Sequence, residues 1–176
     1  MSDLAQVTRH SARGMITLRG DLSSAKMKKA VKAATGQAMP DIGRFHGDGN
    51  KGVAWMSPDE LLVVVPYDSV DEAMAQIDKA LADSHYLAAD VSDARSVFTV
   101  SGKGARDVLA RVCPVDLHPD SFGPGQFRRT RMAQVAAAFW LHDGGFDIVC
   151  FRSVGDYAHD LLNRSAENAT QSAFFA

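Results

Sequence analysis

Two parts of this sequence repeat each other at a constant offset of 85 residues, and this repeat restricts the possible folds more than any other feature. When Ala54-Trp55-Met56 is aligned with Phe139-Trp140-Leu141, the only two tryptophans of the chain coincide. Both parts therefore have the pattern strand, turn, strand, helix. The same register, without a gap, pairs Leu61 with Phe146, Val63 with Ile148, Val64 with Val149, Asp71 with Asp156, Ala73 with Ala158 and Ile77 with Leu162.

A second match lies upstream of each part. Ile16–Gly20 aligns with Phe98–Gly102 at an offset of 82, and each run leads into a predicted helix. We therefore predict an α+β protein of two pseudo-repeated ferredoxin-like β-α-β units, with antiparallel sheets and the helices packed outside. The repeats are expected at about 14–84 and 86–167 of a single compact domain, 1–176, with residues 168–176 as a C-terminal tail.

Hydrophobic periodicity and capping residues define the individual elements. Ser69, with Glu72 three residues later, forms a capping-box pattern that predicts the start of the second helix. Leu61–Val65 is continuously apolar, so we expect both of its faces to be covered, by the other half or by a partner protein. The predicted helices are about Ser24–Thr35, a helix from Ser69, about Lys103–Val112 and a helix after Ser153. The predicted strands are Met15–Arg19, Val53–Met56, Leu61–Val65, Leu87–Ser92, Ser96–Ser101, Arg131–Trp140, Phe146–Phe151 and, as a further candidate, Ile42–Phe45.

The composition excludes several classes of protein. A chain that is 46% hydrophobic and 23% charged, with a net charge of −2, is typical of a folded domain rather than a disordered one. No basic tail is present, so we expect no nucleic-acid partner. The longest apolar run, Val135–Leu141, is far shorter than the ~20 residues that cross a membrane. The first residues lack an apolar signal segment and two cysteines form no disulfide framework, so we expect a cytoplasmic protein without membrane contact.

The glycine-rich run Gly47–Gly52 matches the pattern G-x-G-x-x-G. A dinucleotide site needs a helix that opens on the last glycine, whereas this run is followed by Val-Ala-Trp-Met, a predicted strand. The pattern therefore favours a hairpin loop over a nucleotide site.

No metal site or complete catalytic group can be assembled from the spacing of the polar residues. Cys113 and His118 lie five residues apart, but zinc needs three or four ligands. Cys150 alternates within an apolar strand and is interpreted as a small core residue. His142 next to Asp143 is a nominal dyad, and a solvated turn pair is the favoured interpretation.

Two clusters of polar residues can each be interpreted in two ways. Asp90, Asp93 and Arg95 bracket the passage from one predicted strand to the next, where carboxylates can bind a polar ligand or act as acid and base, but turn hydrogen bonding is the favoured interpretation. Arg128, Arg129 and Arg131 precede or begin the long second-half strand, and Arg129 and Arg131 share a strand face. This arginine cluster either contacts an acidic partner or anion, or keeps a sheet edge solvated.

The last residues of the sequence hold two adjacent aromatic side chains, Phe174 and Phe175. Exposed aromatics favour association, so these side chains are expected to pack on the body, dock into a partner or remain mobile.

Several blocks of sequence carry a resemblance to a known family. The most specific is Cys113–Pro119, CPVDLHP, and the blocks together extend from about residue 14 to residue 163. On these blocks the chain resembles the gamma subunits of heterotetrameric sarcosine oxidase, and through them the folate-binding domain of aminomethyltransferase. The other blocks are Trp55–Leu62, Asp90–Gly102, Gly104–Leu109, Phe122–Gly125, Arg129-Thr130 and Phe151–Ser153.

The resemblance implies a non-catalytic subunit of a complex of alpha, beta, gamma and delta chains, packed mainly against alpha. That complex oxidatively demethylates sarcosine to glycine, with formaldehyde or methylenetetrahydrofolate and hydrogen peroxide as further products. FAD, FMN, NAD, tetrahydrofolate and zinc are expected on the other subunits, and no cofactor or catalytic residue is expected in this chain. The alternatives are a free-standing folate-dependent one-carbon protein that uses the arginine cluster, or a small regulatory dimer.

Overall fold

The structure is a computed structural model that describes residues 4–48, 50–169 and 175. The chain forms two compact units, a first unit of Ala12–Asp93 and a second unit that combines Met1–Ser11 with Ala94–Ala176. In chain order, the strands are β1 Gln6–Arg9, β2 Gly14–Gly20, β3 Phe45–Gly47, β4 Gly52–Ser57, β5 Glu60–Val65, β6 Tyr86–Asp90, β7 Arg95–Ser101, β8 Phe127–Met132, β9 Val135–His142 and β10 Gly145–Phe151. The helices are α1 Ala25–Thr35, α2 Val70–Leu81, α3 Ala105–Ala110 and α4 Gly155–Glu167.

The first unit is an antiparallel sheet in the order β3-β4-β5-β2-β6, with α1 and α2 on one face. Alternate residues of β2 and β5 pack with the apolar faces of the helices, and Ile16, Leu61 and Val63 are completely buried. Ser24 caps α1 by accepting a hydrogen bond from the backbone N–H of Met27, which satisfies one of the free donors of the first turn.

The second unit repeats this architecture with the order β8-β9-β10-β7-β1 and the helices α3 and α4. Its core contains Phe98, Phe122, Phe139 and Phe146, and the rings of Phe122 and Phe139 lie 5.3 Å apart between centroids. The predicted α+β class, with antiparallel sheets that carry their helices on one face, is confirmed.

The offset of 85 residues holds in the backbone of both units. A turn of 3-10 helix at Tyr67–Ser69 precedes α2, and the equivalent turn at Arg152–Val154 precedes α4. Paired positions also share their burial, since Ile77 and Leu162 both belong to the helix-side cores. The two sheets differ in which part of the chain supplies one edge strand. In the first unit this strand is β6, which follows α2 and pairs with β2, whereas in the second unit it is β1, which precedes the other strands in the sequence and pairs with β7.

Two predicted elements are wrong. Arg131–Trp140 is not one strand: β8 and β9 form an antiparallel hairpin in which Met132 pairs with Val135, and Ala133 turns the chain with a φ of 48°. Ser69 makes no side-chain cap, because the chain enters α2 through the 3-10 turn and Ser69 has a φ of −102° and a ψ of 4° rather than the extended conformation of a capping residue. The hydroxyl is therefore not placed against the first turn.

Three further elements have limits that differ from the predicted ones. Strand β3 begins at Phe45, because Ile42 is 79% exposed and Gly43 takes a positive φ of 71° that turns the chain. Helix α3 is shorter than predicted at both ends, and strand β6 begins one residue earlier and ends at Asp90. Among the described residues, no helix has the length and apolarity that a membrane crossing requires.

Candidate functional site

A buried carboxylate lies in the middle of the second unit's sheet, on the face opposite the helices. Asp147 is 1% exposed, and its cross-strand neighbours are Thr99 on β7 and Trp140 on β9. The hydroxyl of Thr99 donates to the carboxylate at 2.5 Å, and Nε2 of His10 lies 2.7 Å from the same hydroxyl oxygen. Because an isolated charge is costly to bury, these polar neighbours explain how a carboxylate is tolerated among apolar strands.

His142 provides the next contact of this carboxylate. The backbone N–H of Gly144 donates to Nδ1 at 2.9 Å, so the proton of the neutral imidazole is assigned to Nε2. Nε2 lies 3.2 Å from Asp147. Nδ1 of His142 thus accepts a hydrogen bond, whereas Nε2 is buried close to Asp147 without the alignment of a hydrogen bond. The imidazole therefore lies between the turn and the carboxylate.

The partner of His142 is thus not the neighbour that the sequence pattern named. Asp143 is exposed in the β9–β10 turn and has no ion-pair partner among the described residues, whereas Asp147 lies five residues after His142. The signal in the sequence was a single carboxylate between Phe146 and Ile148, inside an apolar strand. Such a position predicts a buried polar contact but does not name its partner.

The three arginines of the arginine cluster lie on β8, at the edge of the second unit's sheet. Arg129 and Arg131 pair with Ala138 and Ala136, so they point to one face, and Arg128 pairs with Phe139 and points to the other. All three are exposed. The structure therefore places a row of cations along a strand whose only sheet partner, within the described residues, is β9.

The Asp90–Arg95 cluster forms a turn, as favoured. Asp90 accepts hydrogen bonds from the backbone N–H and the hydroxyl of Ser92, and the hydroxyl of Tyr67 donates to Asp93 at 3.1 Å. Arg95 lies with its guanidinium carbon 4.2 Å from the ring centroid of Phe151. Each of these contacts joins residues within one unit.

Cys113, Cys150 and His118, which the sequence offered as candidate metal ligands or thiols, make contacts within the fold. Burial raises the pKa of Cys113 to about 12, and it also raises the pKa of Cys150, which belongs to the core as predicted. His118 accepts a hydrogen bond at Nδ1 from the backbone N–H of Asp120, at 3.3 Å. Nowhere in the described ranges do three potential metal ligands come together.

The glycine-rich run is a hairpin loop, because Gly47 on β3 pairs with Gly52 on β4. Asp48 accepts hydrogen bonds from the backbone N–H groups of Asn50 and Lys51, and Gly49 lies outside the described residues. The element directly after the loop is strand β4 and not a helix, so the favoured interpretation is confirmed.

The C-terminal aromatic pair is described at one position. Phe175 packs against the core of the second unit, and Phe174 lies outside the described residues. Of the three outcomes expected for this pair, packing on the body is therefore observed for Phe175.

Each unit thus combines a five-stranded antiparallel sheet, counted over the described residues, with two helices on one face, and solved structures share this class of fold. Aminomethyltransferase T of the glycine cleavage system from Bartonella henselae matches 90% of this chain and 45% of its own, with a TM-score of 0.66 and 15% identity. The regulatory subunit of aspartate kinase from Thermus thermophilus matches with a TM-score of 0.53 and 11% identity, over 91% of this chain and 97% of its own. At these identities the similarity defines the fold alone.

A more similar structure belongs to heterotetrameric sarcosine oxidase from Corynebacterium sp. U-96. One of its chains matches with a TM-score of 0.84 and 26% identity, over 96% of this chain and 86% of that one. A family model described as the sarcosine oxidase gamma subunit family matches residues 19–168. The chain belongs to this family, which confirms the resemblance inferred from its sequence blocks.

Curated relatives support the same assignment over a shorter region. The gamma subunits of sarcosine oxidase from Corynebacterium sp. strain P-1 and from an Arthrobacter species are each 34% identical over 113 residues. Each alignment covers 63% of this chain and 55% of the relative, so the matched region spans about half the length of these relatives.

Proposed function

We propose that this chain is the gamma subunit of a heterotetrameric sarcosine oxidase. The observation that carries the proposal is the TM-score of 0.84 to a chain of the Corynebacterium enzyme, over 96% of this chain. In this role the chain supports the oxidative demethylation of sarcosine to glycine, with formaldehyde or methylenetetrahydrofolate and hydrogen peroxide as further products.

The proposed role is structural rather than catalytic. The buried carboxylate of Asp147 accepts a hydrogen bond from Thr99 and lies next to His142, and the thiols of Cys113 and Cys150 are buried with raised pKa values. Groups in such contacts support the fold and are not poised to react at neutral pH. FAD, FMN, NAD, tetrahydrofolate and zinc accordingly belong, in this proposal, to the alpha, beta and delta chains.

The proposed contact with the alpha chain uses the arginine cluster of β8. Arg128, Arg129 and Arg131 project from both faces of an edge strand, and arginine is enriched in protein interfaces because its guanidinium binds carboxylates with two hydrogen bonds. An acidic surface of alpha is the complementary partner for this row.

Co-expression with the alpha, beta and delta chains tests the proposal. With an affinity tag on alpha, the gamma chain should be recovered at one copy per alpha chain, together with sarcosine oxidase activity. A fully active and stable complex that lacks the gamma chain would overturn the proposal. Tetrahydrofolate added to the gamma chain alone tests the folate-binding alternative, which requires tight binding that is lost in Arg129→Ala.

The arginine contact has its own test within the same complex. Arg128→Glu with Arg131→Glu should reduce the recovery of gamma with tagged alpha, because the two carboxylates reverse the charge of the edge. Lys28→Glu with Lys29→Glu is the matched control, since both lysines are exposed on α1 and the charge change is equal. An equal loss in both variants would assign the effect to net charge rather than to the β8 edge.

A further inference from the structure

A cavity of about 450 Å³ opens in the second unit between two neighbouring turns. One turn joins β7 to α3 at Gly102 and Lys103, and the other joins β9 to β10 at Asp143 and Gly144. The turns are adjacent because β7 and β10 are paired strands. Pockets for small ligands typically enclose ~300–1,000 Å³, so the cavity is large enough for a small organic molecule.

The inner wall of the cavity holds a half-buried cation. Nη1 of Arg106 donates to the backbone carbonyls of Leu117 and Phe122 at 2.6 and 2.9 Å, and its guanidinium carbon lies 5.6 Å from the ring centroid of Phe146. These contacts fix the guanidinium in place. Burial lowers the pKa of Arg106, and no carboxylate of the described residues forms an ion pair with it.

Arg106 has further donors besides Nη1. Its Nε and Nη2 groups make no hydrogen bond to another described residue. A guanidinium presents parallel N–H donors that match the two oxygens of a carboxylate. A half-buried cation that has no counter-ion among the described residues, next to a cavity, is a favourable position for an anionic ligand.

The rest of the lining defines the kind of anion. Lys103 is exposed at the opening and has no ion-pair partner among the described residues, and Asp143 contributes one negative charge. The excess of one positive charge suits a monoanion better than a polyanion. Leu141, Phe146 and Phe175 provide an apolar wall.

We propose that this cavity binds a small organic carboxylate with an apolar body, held by Arg106 through paired hydrogen bonds. Lys103 lies at the opening and adds a second, more solvated positive charge. The imidazole of His142 forms part of the wall. The inference is independent of the proposed subunit role and concerns the second unit alone.

The test uses the full-length chain and benzoate as the probe, with neutral benzamide as its matched control. Titration followed by calorimetry and by backbone amide spectra should show binding of benzoate, with the largest shifts at Lys103, Gly144 and Gly145. Benzamide should bind at least tenfold more weakly, because it lacks the charge that Arg106 complements. Inorganic phosphate, a more highly charged anion, should bind more weakly than benzoate.

Variants separate the site from nonspecific attraction. Lys103→Met should weaken benzoate binding about two- to fivefold, the effect of removing one solvated charge. Lys29→Met, an exposed lysine of α1 in the first unit, should leave the affinity unchanged. Arg106→Lys keeps the charge but loses the paired donors, and should weaken binding about tenfold or more.

Several results would overturn the inference. They are equal binding of benzoate and benzamide, equal effects of Lys103→Met and Lys29→Met, or no benzoate binding by the folded wild-type chain. The thermal unfolding midpoint of each variant is measured alongside. Since Lys103 contacts no described residue through an ion pair or hydrogen bond, Lys103→Met is expected to stay folded even where Arg106→Lys is less stable.

Discussion

The imidazole of His142 links the β9–β10 turn to the buried carboxylate of Asp147. One ring nitrogen accepts the backbone N–H of Gly144, and the other lies 3.2 Å from the carboxylate. Asp147 in turn accepts the hydroxyl of Thr99 on the neighbouring strand. His142 therefore lies between the turn and the carboxylate at the centre of the second unit's sheet.

We expect His142→Ala to lower the free energy of unfolding by about 1–3 kcal/mol, because it leaves a buried carboxylate with fewer polar partners. Urea denaturation of the full-length chain measures the change. His85→Ala is the control, since His85 is exposed in the first unit. Asp147→Asn should lower the free energy of unfolding less in the His142→Ala background than in the wild-type chain. Additive effects of the two substitutions would contradict an interaction between these side chains.

Strand β1 depends on a glycine on the neighbouring turn. Gly102 has a φ of 100°, and a Cβ at this position would lie 2.4 Å from the carbonyl oxygen of Leu4, just before β1. We expect Gly102→Ala to destabilise the chain by about 1–2 kcal/mol, through the left-handed backbone and the displacement of Leu4. Faster hydrogen exchange of the β1 amides should accompany the loss.

Gly123→Ala is the matched control for this prediction, because a Cβ there meets nothing within 4 Å. An unchanged unfolding midpoint and unchanged β1 exchange in Gly102→Ala would show that the close approach of Leu4 is not required.

The sequence predicts best the elements whose apolar pattern decides their burial. Strand β5 and helix α2 have the same register as β10 and α4, because Leu61 and Phe146, like Ile77 and Leu162, fill equivalent core positions. Strand β1 is missed because it has four residues, three of them exposed, and its position depends on pairing with β7. Pairing between distant segments leaves no local pattern in so short a strand.

The tryptophans that suggest the repeat are not equivalent in register. Trp55 pairs with Leu61, a helix-side core residue, and Trp140 pairs with Asp147 on the opposite face of its sheet. A bulge between Trp55 and Ser57 shifts the register of β4, and a shift of one residue exchanges the faces of a strand. Sequence alignment cannot detect such a bulge, because no residue is inserted.

The β8–β9 turn was missed for a chemical reason, and it gives a third prediction. Ala133 has a φ of 48°, a conformation that glycine or asparagine usually occupies in a two-residue hairpin turn. Ala133→Gly should therefore raise the free energy of unfolding by about 0.5–1 kcal/mol. Ala136→Gly, inside β9, should lower it by a similar amount, since glycine weakens a strand interior. Denaturation midpoints measure both, and a loss of stability in Ala133→Gly would contradict the strain.

The buried thiols give a prediction of reactivity and of pH dependence. Burial raises the pKa of Cys113 to about 12, against an ordinary value of 9.0, so the folded protein keeps this thiol protonated while the unfolded chain ionises it. The contribution of Cys113 to stability is complete below pH 9 and is lost as the pH rises towards 12. Between pH 9 and 12 the free energy of unfolding should therefore fall more steeply with pH in the wild-type chain than in Cys113→Ala. The difference between the two slopes should reach up to about 1.4 kcal/mol per pH unit.

Burial of both thiols also predicts how they react. At pH 8, a disulfide reagent should label neither Cys113 nor Cys150 in the folded chain, and it should label both after unfolding in urea. Rapid labelling of the folded chain would contradict the burial of these thiols.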